Sequence, residues 1–458
     1  MRALDWPALS YWTADNLPYL MATAILGLTF AVLSKRKKSN LRASIVLKDA
    51  IEKNQAEPYS LHPSIDPNLC AGCGACVRAC PEGEILQLIN HRAALVAPTK
   101  CVGHGECEAA CPFDAISLVF GTKTRGKDIP RITSHYETNI SGLYIAGELG
   151  GMGLIRNAVR QGRKAVEHAA EQLKRKTQTP ADFDLIVIGA GPAGIAAGLA
   201  AQHAGLNYLC IEQGRFGGTI ANFPRQKIIM TQPAELPIVG VMRFPRHRVS
   251  KEELMQRWDE IRRSTGLKVQ EQTKFETLER IDGIFHLKTS AGPLSARRVI
   301  LALGVRGTPR RLGLVGEGLS KVTYNLIEPD QYKNQHISVV GSGNSAAEAV
   351  DMLCKKHLGN TVTLLAATPG FDRCNFENEE KVRKAEKDGS VKIMFETKVE
   401  EIHADRLEIN IKGQRQSIKN DYLFIFIGAE MQTKFFTDIG INIDRKFGEP
   451  LRKDHGKE

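Results

Sequence analysis

The hydrophobic pattern of this chain is a series of short apolar runs, each closed by glycine and followed by a stretch of helical period. Residues 184–212, DLIVIGAGPAGIAAGLAAQHAGLNYLCIE, show it most fully: an apolar strand, a glycine turn, a small-residue helix and a second strand ending in a carboxylate. Residues 337–348, ISVVGSGNSAAE, open a second unit of the same kind, with later apolar runs at 361–367 and 422–428. The pattern also predicts a helix over 251–264, a strand over 298–304 and, ahead of both units, a strand inside 137–148 followed by a helix over 154–173. Strands alternating with helices predict an α/β fold. The N-terminus differs. Residues 17–34, LPYLMATAILGLTFAVLS, carry no charge and run directly into Lys35, Arg36, Lys37 and Lys38, while Trp6, Tyr11, Trp12 and Tyr19 gather at the other end. That predicts a single transmembrane helix, N-terminus outside and basic end on the cytoplasmic side. A cleaved signal peptide would carry its charge before the apolar run. Residues 43–59 are polar and helix-prone, a spacer.

The glycine turns carry chemistry. Gly189 permits the tight turn, Gly191 lets backbone approach a pyrophosphate, and Gly194 lets the helix pack on the strand, while the helix N-terminus faces the phosphates. Glu212, about 20 residues on, is placed to grip ribose hydroxyls. In the second unit Gly341 and Gly343 repeat the turn, and Ala346 is an allowed substitute for the third glycine. The strand that follows ends without an acid, and Arg373 lies in the next loop. An arginine there accommodates a 2′-phosphate and favours NADP over NAD; a solvated loop arginine is the competing reading.

Length asks for two or three domains, since 458 residues exceed what one core serves. The net charge of +11 is spread over residues 35–38, 164–176, 243–248 and 306–311. With no single basic face, nucleic acid is a poor fit; phosphate cofactors, anionic lipid and acidic protein partners suit better. Of ten cysteines, seven lie between Cys70 and Cys111, a metal framework in a reducing compartment.

That framework opens with C-A-G-C-G-A-C-V-R-A-C-P from Cys70, four thiolates closed by proline, the spacing a cubane iron–sulfur cluster requires. It continues as C-V-G-H-G-E-C-E-A-A-C-P from Cys101. The pair resembles the bacterial two-cluster ferredoxin over residues 60–121. The resemblance implies that the fourth cysteine of each run ligates the other cluster. Cys70, Cys73, Cys76 and Cys111 would then hold one 4Fe-4S cluster, and Cys80, Cys101 and Cys107 the second. His104 stands where that family has cysteine. It either ligates the iron a thiolate would, or leaves a three-cysteine site suited to a 3Fe-4S cluster or a water-ligated iron.

Residues 137–148 and the helix after them resemble the closing segment of thioredoxin reductase-like flavoproteins, in which Gly147 and Glu148 would contact the ribityl–phosphate part of FAD. Arg306, Gly307, Thr308 and Pro309 resemble that family's exit from the flavin domain, and residues 216–230 fit a loop over the isoalloxazine ring. In the family the closing segment follows both nucleotide domains, whereas here it precedes them, which suggests a circular permutation. No cysteine occurs between Gly307 and Gly341, where thioredoxin reductases carry Cys-x-x-Cys. Cys210, Cys354 and Cys374 read as packing residues. The fold expected is therefore α/β: two Rossmann-like domains of thioredoxin reductase type, a small α+β two-cluster ferredoxin domain and one N-terminal transmembrane helix. Expected segments are a tail at 1–16, the span at 17–34, a linker at 35–59, the iron–sulfur domain at 60–121, the permuted closing segment at 122–176, the FAD domain at 181–310, the NAD(P) domain at 311–430, and residues 431–458 returning to the FAD domain.

Nicotinamide moves two electrons together, iron–sulfur clusters move one, and a flavin does both. The chain thus reads as a membrane-anchored iron–sulfur flavoprotein oxidoreductase passing electrons between NAD(P)H, FAD and two clusters, to or from an external carrier such as ferredoxin. No side-chain nucleophile is required. The expected partners are an electron-carrier protein or a quinone, and lipid of the inner membrane; a homodimer is left open. An NAD(P)H–quinone reductase and a non-enzymatic redox sensor are the competing readings.

Overall fold

The computed structural model describes residues 6–450 except 53–55, 59–60, 125, 149–153, 176–179, 231–232, 246–247, 305–307, 372–373 and 431–432, with backbone only for 6–18, 20, 127, 175, 230, 308, 430 and 450. Arg373, Gly150, Gly151, Arg306 and Gly307 therefore lie outside the described residues. Two compact units emerge, the first made of Met1–Glu57, Ile65–Pro98 and Glu106–Ser117, the second of Pro58–Ser64, Thr99–Gly105 and Leu118–Glu458. The stretch 60–121, expected as one domain, is divided between them.

In the first unit helix α1 runs from Trp6 to Glu52. The expected linker at 35–59 is thus largely helical, and Ala43 and Ala50, two turns apart, are buried. Asn40 bonds Asn90 in both directions, accepting the Asn90 N–H at 2.9 Å and donating to its side-chain oxygen at 3.2 Å. Asn90 and His91 both have positive φ, the geometry of a tight hairpin turn between Leu86–Ile89 and Arg92–Leu95. Short helices α2 (Ala75–Ala79) and α3 (Glu106–Ala109) follow the two cysteine turns. The expected span at 17–34 is not found: among the described residues no helix is long and apolar enough to cross a membrane.

The second unit holds two parallel-centred sheets. In the first sheet Tyr208–Ile211, Phe183–Ile188 and the C-terminal half of Gly292–Leu301 run parallel, and an antiparallel meander over Phe275–Ile281 and Ile284–Thr289 extends it. Leu143–Ile145 closes the far side, parallel to Val299–Leu301. A segment that precedes the fold in the chain thus completes its central sheet. Helix α4 (Ile155–Arg175) packs on α5 (Pro192–His203). The approach is close enough that a Cβ on Gly162 would sit 2.1 Å from the Ala193 carbonyl oxygen. Glycine in a helix interior costs about 1 kcal/mol relative to alanine; a backbone clash at that distance would cost far more, so packing overrides propensity here. Helix α6 (Lys251–Thr265) carries a full capping box between Ser250 and Glu253.

In the second sheet Val322–Thr323, Tyr422–Ile425, His336–Val340, Thr361–Leu365 and Val391–Met394 are all parallel, with α7 (Asn344–Leu353) and α8 (Phe376–Lys387) beside them. The chain then returns to the flavin-type core. Phe436 on α9 (Thr433–Asp438) is fully buried with Leu143, Ile145, Ile186 and Leu301. Ile443–Lys446 pairs with Lys127–Pro130, where Arg131 grips Asp444 at 2.7 Å. That ion pair, with its hydrogen bonds, holds the Asp444 carboxyl below its ordinary range.

Leu143 and Ile145 have no exposed surface. Burial of each contributes roughly 1.5–3 kcal/mol, so loss of both together with α4 removes a large part of the roughly 5–15 kcal/mol that typically separates folded from unfolded. A chain shortened to begin after Phe120 is therefore expected to purify yellow, and one beginning after Lys176 to lose its flavin. Equal flavin content in the two, measured by absorbance per protein, would refute the closing role of this segment.

Candidate cofactor sites

The first site forms where Phe183–Ile188 hands over to α5. Gly189 has φ +107°, and a Cβ there would stand 2.4 Å from the Ala302 carbonyl oxygen. At Gly194 a Cβ would stand 1.8 Å from the Gly189 carbonyl oxygen, so strand, turn and helix are in backbone contact. Gly191 is different: nothing lies within 4 Å of a Cβ built on it. The turn is closed on its protein side and open at the residue where a diphosphate must approach, at the N-terminus of a buried helix. Glu212 is 7% exposed. Its two oxygens accept the N–H groups of Ala190 at 2.8 Å and Gly214 at 2.9 Å. Each keeps a lone pair for a ribose hydroxyl. Gly218, in the loop that the sequence offered as a flavin cover, folds back to within 3.2 Å of Gly191 and 3.7 Å of Glu212, measured from its added Cβ.

The displaced segment reaches the same place. Gly147, at φ +95°, lies so that a Cβ would be 3.2 Å from that of Ala193. Its N–H donates to Gln161 Oε1 at 2.8 Å. Gln161 is fully buried, yet its Nε2 has no hydrogen-bond partner among the described residues. A buried amide donor without a partner is costly unless a ligand satisfies it; with the opening at Gly191 it makes these residues fit a dinucleotide. Sequence reading missed Gln161, since only its place in the fold distinguishes it from other polar helix residues. Glu148 is exposed at the end of the segment.

The second sheet repeats the cradle. Gly341, at φ +140°, would bring a Cβ within 2.5 Å of the Phe426 carbonyl oxygen, Gly343 precedes α7, and Ala346 is fully buried in the third position. Asn344, the first residue of α7, accepts from the Asn375 N–H at 2.9 Å and from Asn378 Nδ2 at 3.2 Å.

In the first unit Cys70, Cys73, Cys76 and Cys111 line one pocket together with Ala93 and Ile116. Burial pushes the Cys76 thiol up, and the neighbouring Cys70, Cys111 and Cys73 add to this. The Ala93 N–H points at Cys70 Sγ, 3.4 Å away. Gly72, at φ +67°, would place a Cβ 2.0 Å from the His91 carbonyl oxygen, so only glycine carries the loop past the hairpin. Among the described residues no three His, Cys, Asp or Glu side chains converge on a single metal ion. Thiolates that bind different irons of one cubane instead surround its width, which matches a four-cysteine cavity. Of the other expected ligands, Cys80 and Cys107 belong to the first unit, Cys101 and His104 to the second. Burial pushes the Cys80 thiol up as well.

Gly191→Ala is expected to leave the melting temperature within about 1 °C and to lower FAD retention at least about ten-fold, because the added methyl meets only a ligand. Gly194→Ala, whose methyl meets backbone, should instead destabilise the fold. Thermal melts with flavin quantitation separate the two, and unaltered FAD binding by Gly191→Ala would refute this cradle.

Comparison with known proteins agrees with both halves. The family model described as pyridine nucleotide-disulphide oxidoreductase matches residues 186–458, and one described as 4Fe-4S dicluster domain matches 62–112. Bacilliredoxin reductase Bdr of Bacillus subtilis is 26% identical over 282 residues, covering 60% of this chain and 85% of its own. A ferredoxin–NADP reductase of Ignicoccus hospitalis is 26% identical over 271 residues, 57% of this chain and 83% of its own. In fold, the chain is similar to bacillithiol disulfide reductase Bdr from Staphylococcus aureus, with TM-score 0.54, 22% identity, and coverage of 60% of this chain and 86% of that one. FAD and NAD(P) binding thus belongs to the reductase part of the chain, and the first of the two family matches starts only after the 143–175 segment that completes its sheet. The chain belongs to the pyridine nucleotide-disulphide oxidoreductase family, as a flavin-dependent oxidoreductase that also carries a 4Fe-4S dicluster domain.

Proposed function

We propose that this protein passes electrons between NAD(P)H and an external one-electron carrier through FAD and two iron–sulfur clusters, in a circularly permuted reductase fold. The observation that carries the reading is the four-cysteine cavity on a flavoprotein chain that has no Cys-x-x-Cys in its reductase part. Bound FAD supplies the exchange between two-electron and one-electron transfer. The chain's own residues do the rest. Glu212 orients the ribose, the N-terminus of α5 and Gln161 hold the diphosphate, and Gly147 lets the closing segment approach. Cys70, Cys73, Cys76 and Cys111 hold one cluster, and Cys80, Cys101 and Cys107 belong to the other. NADP is the favoured nucleotide, on the acid-free strand end after Leu365 and on Arg373.

The proposal includes attachment to the inner membrane through α1, cofactor domains on the cytoplasmic side. Tyr19, Leu26, Leu28, Phe30 and Leu33 are each more than 60% exposed, an apolar surface that the described chain leaves uncovered. Salt-washed inside-out vesicles should reduce viologen with added NADPH, and right-side-out vesicles should not. Stoichiometric reduction without turnover would replace the enzyme by a sensor, and turnover only with a quinone would change the acceptor. Activity found wholly in the soluble fraction would remove the attachment alone.

His104 is proposed as a ligand of the second cluster. Replacing a thiolate by neutral imidazole makes a cluster less negative and raises its potential. His104→Cys should then keep two four-iron clusters and lower one potential, and His104→Ala should lose iron. Unchanged iron content and EPR spectrum in His104→Ala would show that the histidine does not ligate.

A further inference from the structure

The first turn of α8 is heavily engaged by side chains from other parts of the second unit. Phe376, Glu377, Asn378 and Glu379 follow one another, and each side chain has a different task. Asn378, 8% exposed, donates to Asn344 in the phosphate turn and to Glu348 at 3.2 Å. Glu348 in turn holds Lys227 of the flavin domain at 2.6 Å. Glu377 takes Arg248 of the flavin domain in a bidentate pair, at 3.1 and 2.6 Å. Phe376 and Glu379 share a single cation: Lys100 is ion-paired with Glu379 and stands 3.9 Å from the centroid of the Phe376 ring.

Lys100 immediately precedes Cys101. Its loop, Thr99–Gly105, which also bears His104, belongs to the same compact unit as the two nucleotide domains, although Cys70 to Cys80 belong to the other. The Lys100 side chain is only 12% exposed and that of Glu379 27%. An exposed lysine pair contributes little, but a largely desolvated one is weakly screened, and reversing one partner sets like charges together. Acidic residues at a helix N-terminus are also favoured by the helix dipole, so this end of α8 is a preformed acidic face for a basic loop.

We propose that Lys100 is a positioning residue: it docks the loop bearing Cys101 and His104 on the first turn of α8 and so places the second cluster's loop for electron exchange with the flavoprotein. The electron-exchange half rests on the function proposed above; the docking half does not. Two readouts on the holoprotein keep them apart. Hydrogen exchange of the Thr99–Gly105 amides reads docking, and anaerobic stopped-flow with NADPH reads flavin bleaching and cluster bleaching separately.

Lys100→Glu should raise exchange in the loop about ten-fold and slow cluster bleaching about ten-fold, with flavin bleaching unchanged. Glu379→Lys should do the same from a position remote in sequence from the cysteines of residues 70–111, which guards against a simple loss of iron by the first variant. The double variant Lys100→Glu/Glu379→Lys should restore both readouts, and Lys100→Arg should preserve them. Unaltered loop exchange in both single variants, or a double variant as defective as the singles, overturns the docking. Restored docking with cluster bleaching that never depended on it overturns the positioning role. Failure of NADPH to bleach the flavin of the unmodified protein overturns the functional reading and leaves the exchange result to decide the docking.

Discussion

The reductase half depends on one close contact, that of α4 against the beginning of α5. A helix N-terminus that must face a diphosphate cannot be covered by side chains, yet the helix behind it must be buried on nearly every face. Small residues meet both demands: α5 is built from alanine and glycine, and Gly162 lets a second helix lie against its first turn. Once that contact is made, Gly147 and Gln161 arrive at the same turn, and the strand ahead of them has only the open side of Gly292–Leu301 to pair with. The chain order of the segments becomes irrelevant to the site, because neighbours in the sheet, not neighbours in sequence, define it. This is the physical basis on which a permuted order is tolerated.

Cysteine chemistry is segregated in the same way. Cys210 is fully buried on a central strand, and burial pushes its thiol up to about 12, far from any thiolate role. Cys374 is equally buried. Of the four cysteines around the cavity, Cys70, Cys73 and Cys76 are carried on a run with positive-φ glycines at 72 and 74, and Cys70, Cys73 and Cys111 are at least partly open to solvent while Cys76 is buried. The reductase domains therefore contribute shape, charge and nucleotide binding, and the thiols available for metal lie ahead of them. Within the second unit, the acidic first turn of α8 meets Arg248, Lys227 through Glu348, and Lys100, so basic groups from otherwise separate stretches of chain converge on one helix end.

Much of this was legible in the order of residues. The glycine turns, Glu212 and the cysteine runs are local patterns whose chemistry needs fixed spacing along the chain; the structure gathers Cys70, Cys73, Cys76 and Cys111 on one pocket. The Gly147 segment was legible too, as a strand closed by glycine and acid, although its partner strand lies about 150 residues away in sequence. Other features had no local signature. The antiparallel meander at Phe275–Thr289 has strands with polar exposed positions that resemble loop. The helix beyond Ser34 looked like a spacer because only Ala43 and Ala50 are buried, and alanine carries little pattern. Gln161 is an ordinary helix residue until the fold seals its amide beside Gly147.

The sequence by itself determined the ligand classes, because backbone approach to phosphate and thiolate spacing around iron are set within a dozen residues. It also determined the two βαβ units that carry the nucleotide cradles. Only the tertiary structure decided which segment closes the flavin sheet, which carboxylate caps which turn, and that the Thr99–Gly105 loop groups with the nucleotide domains. Those are contacts between residues tens to hundreds of positions apart. Their energies come from burial and charge pairing, and no period along the chain records them.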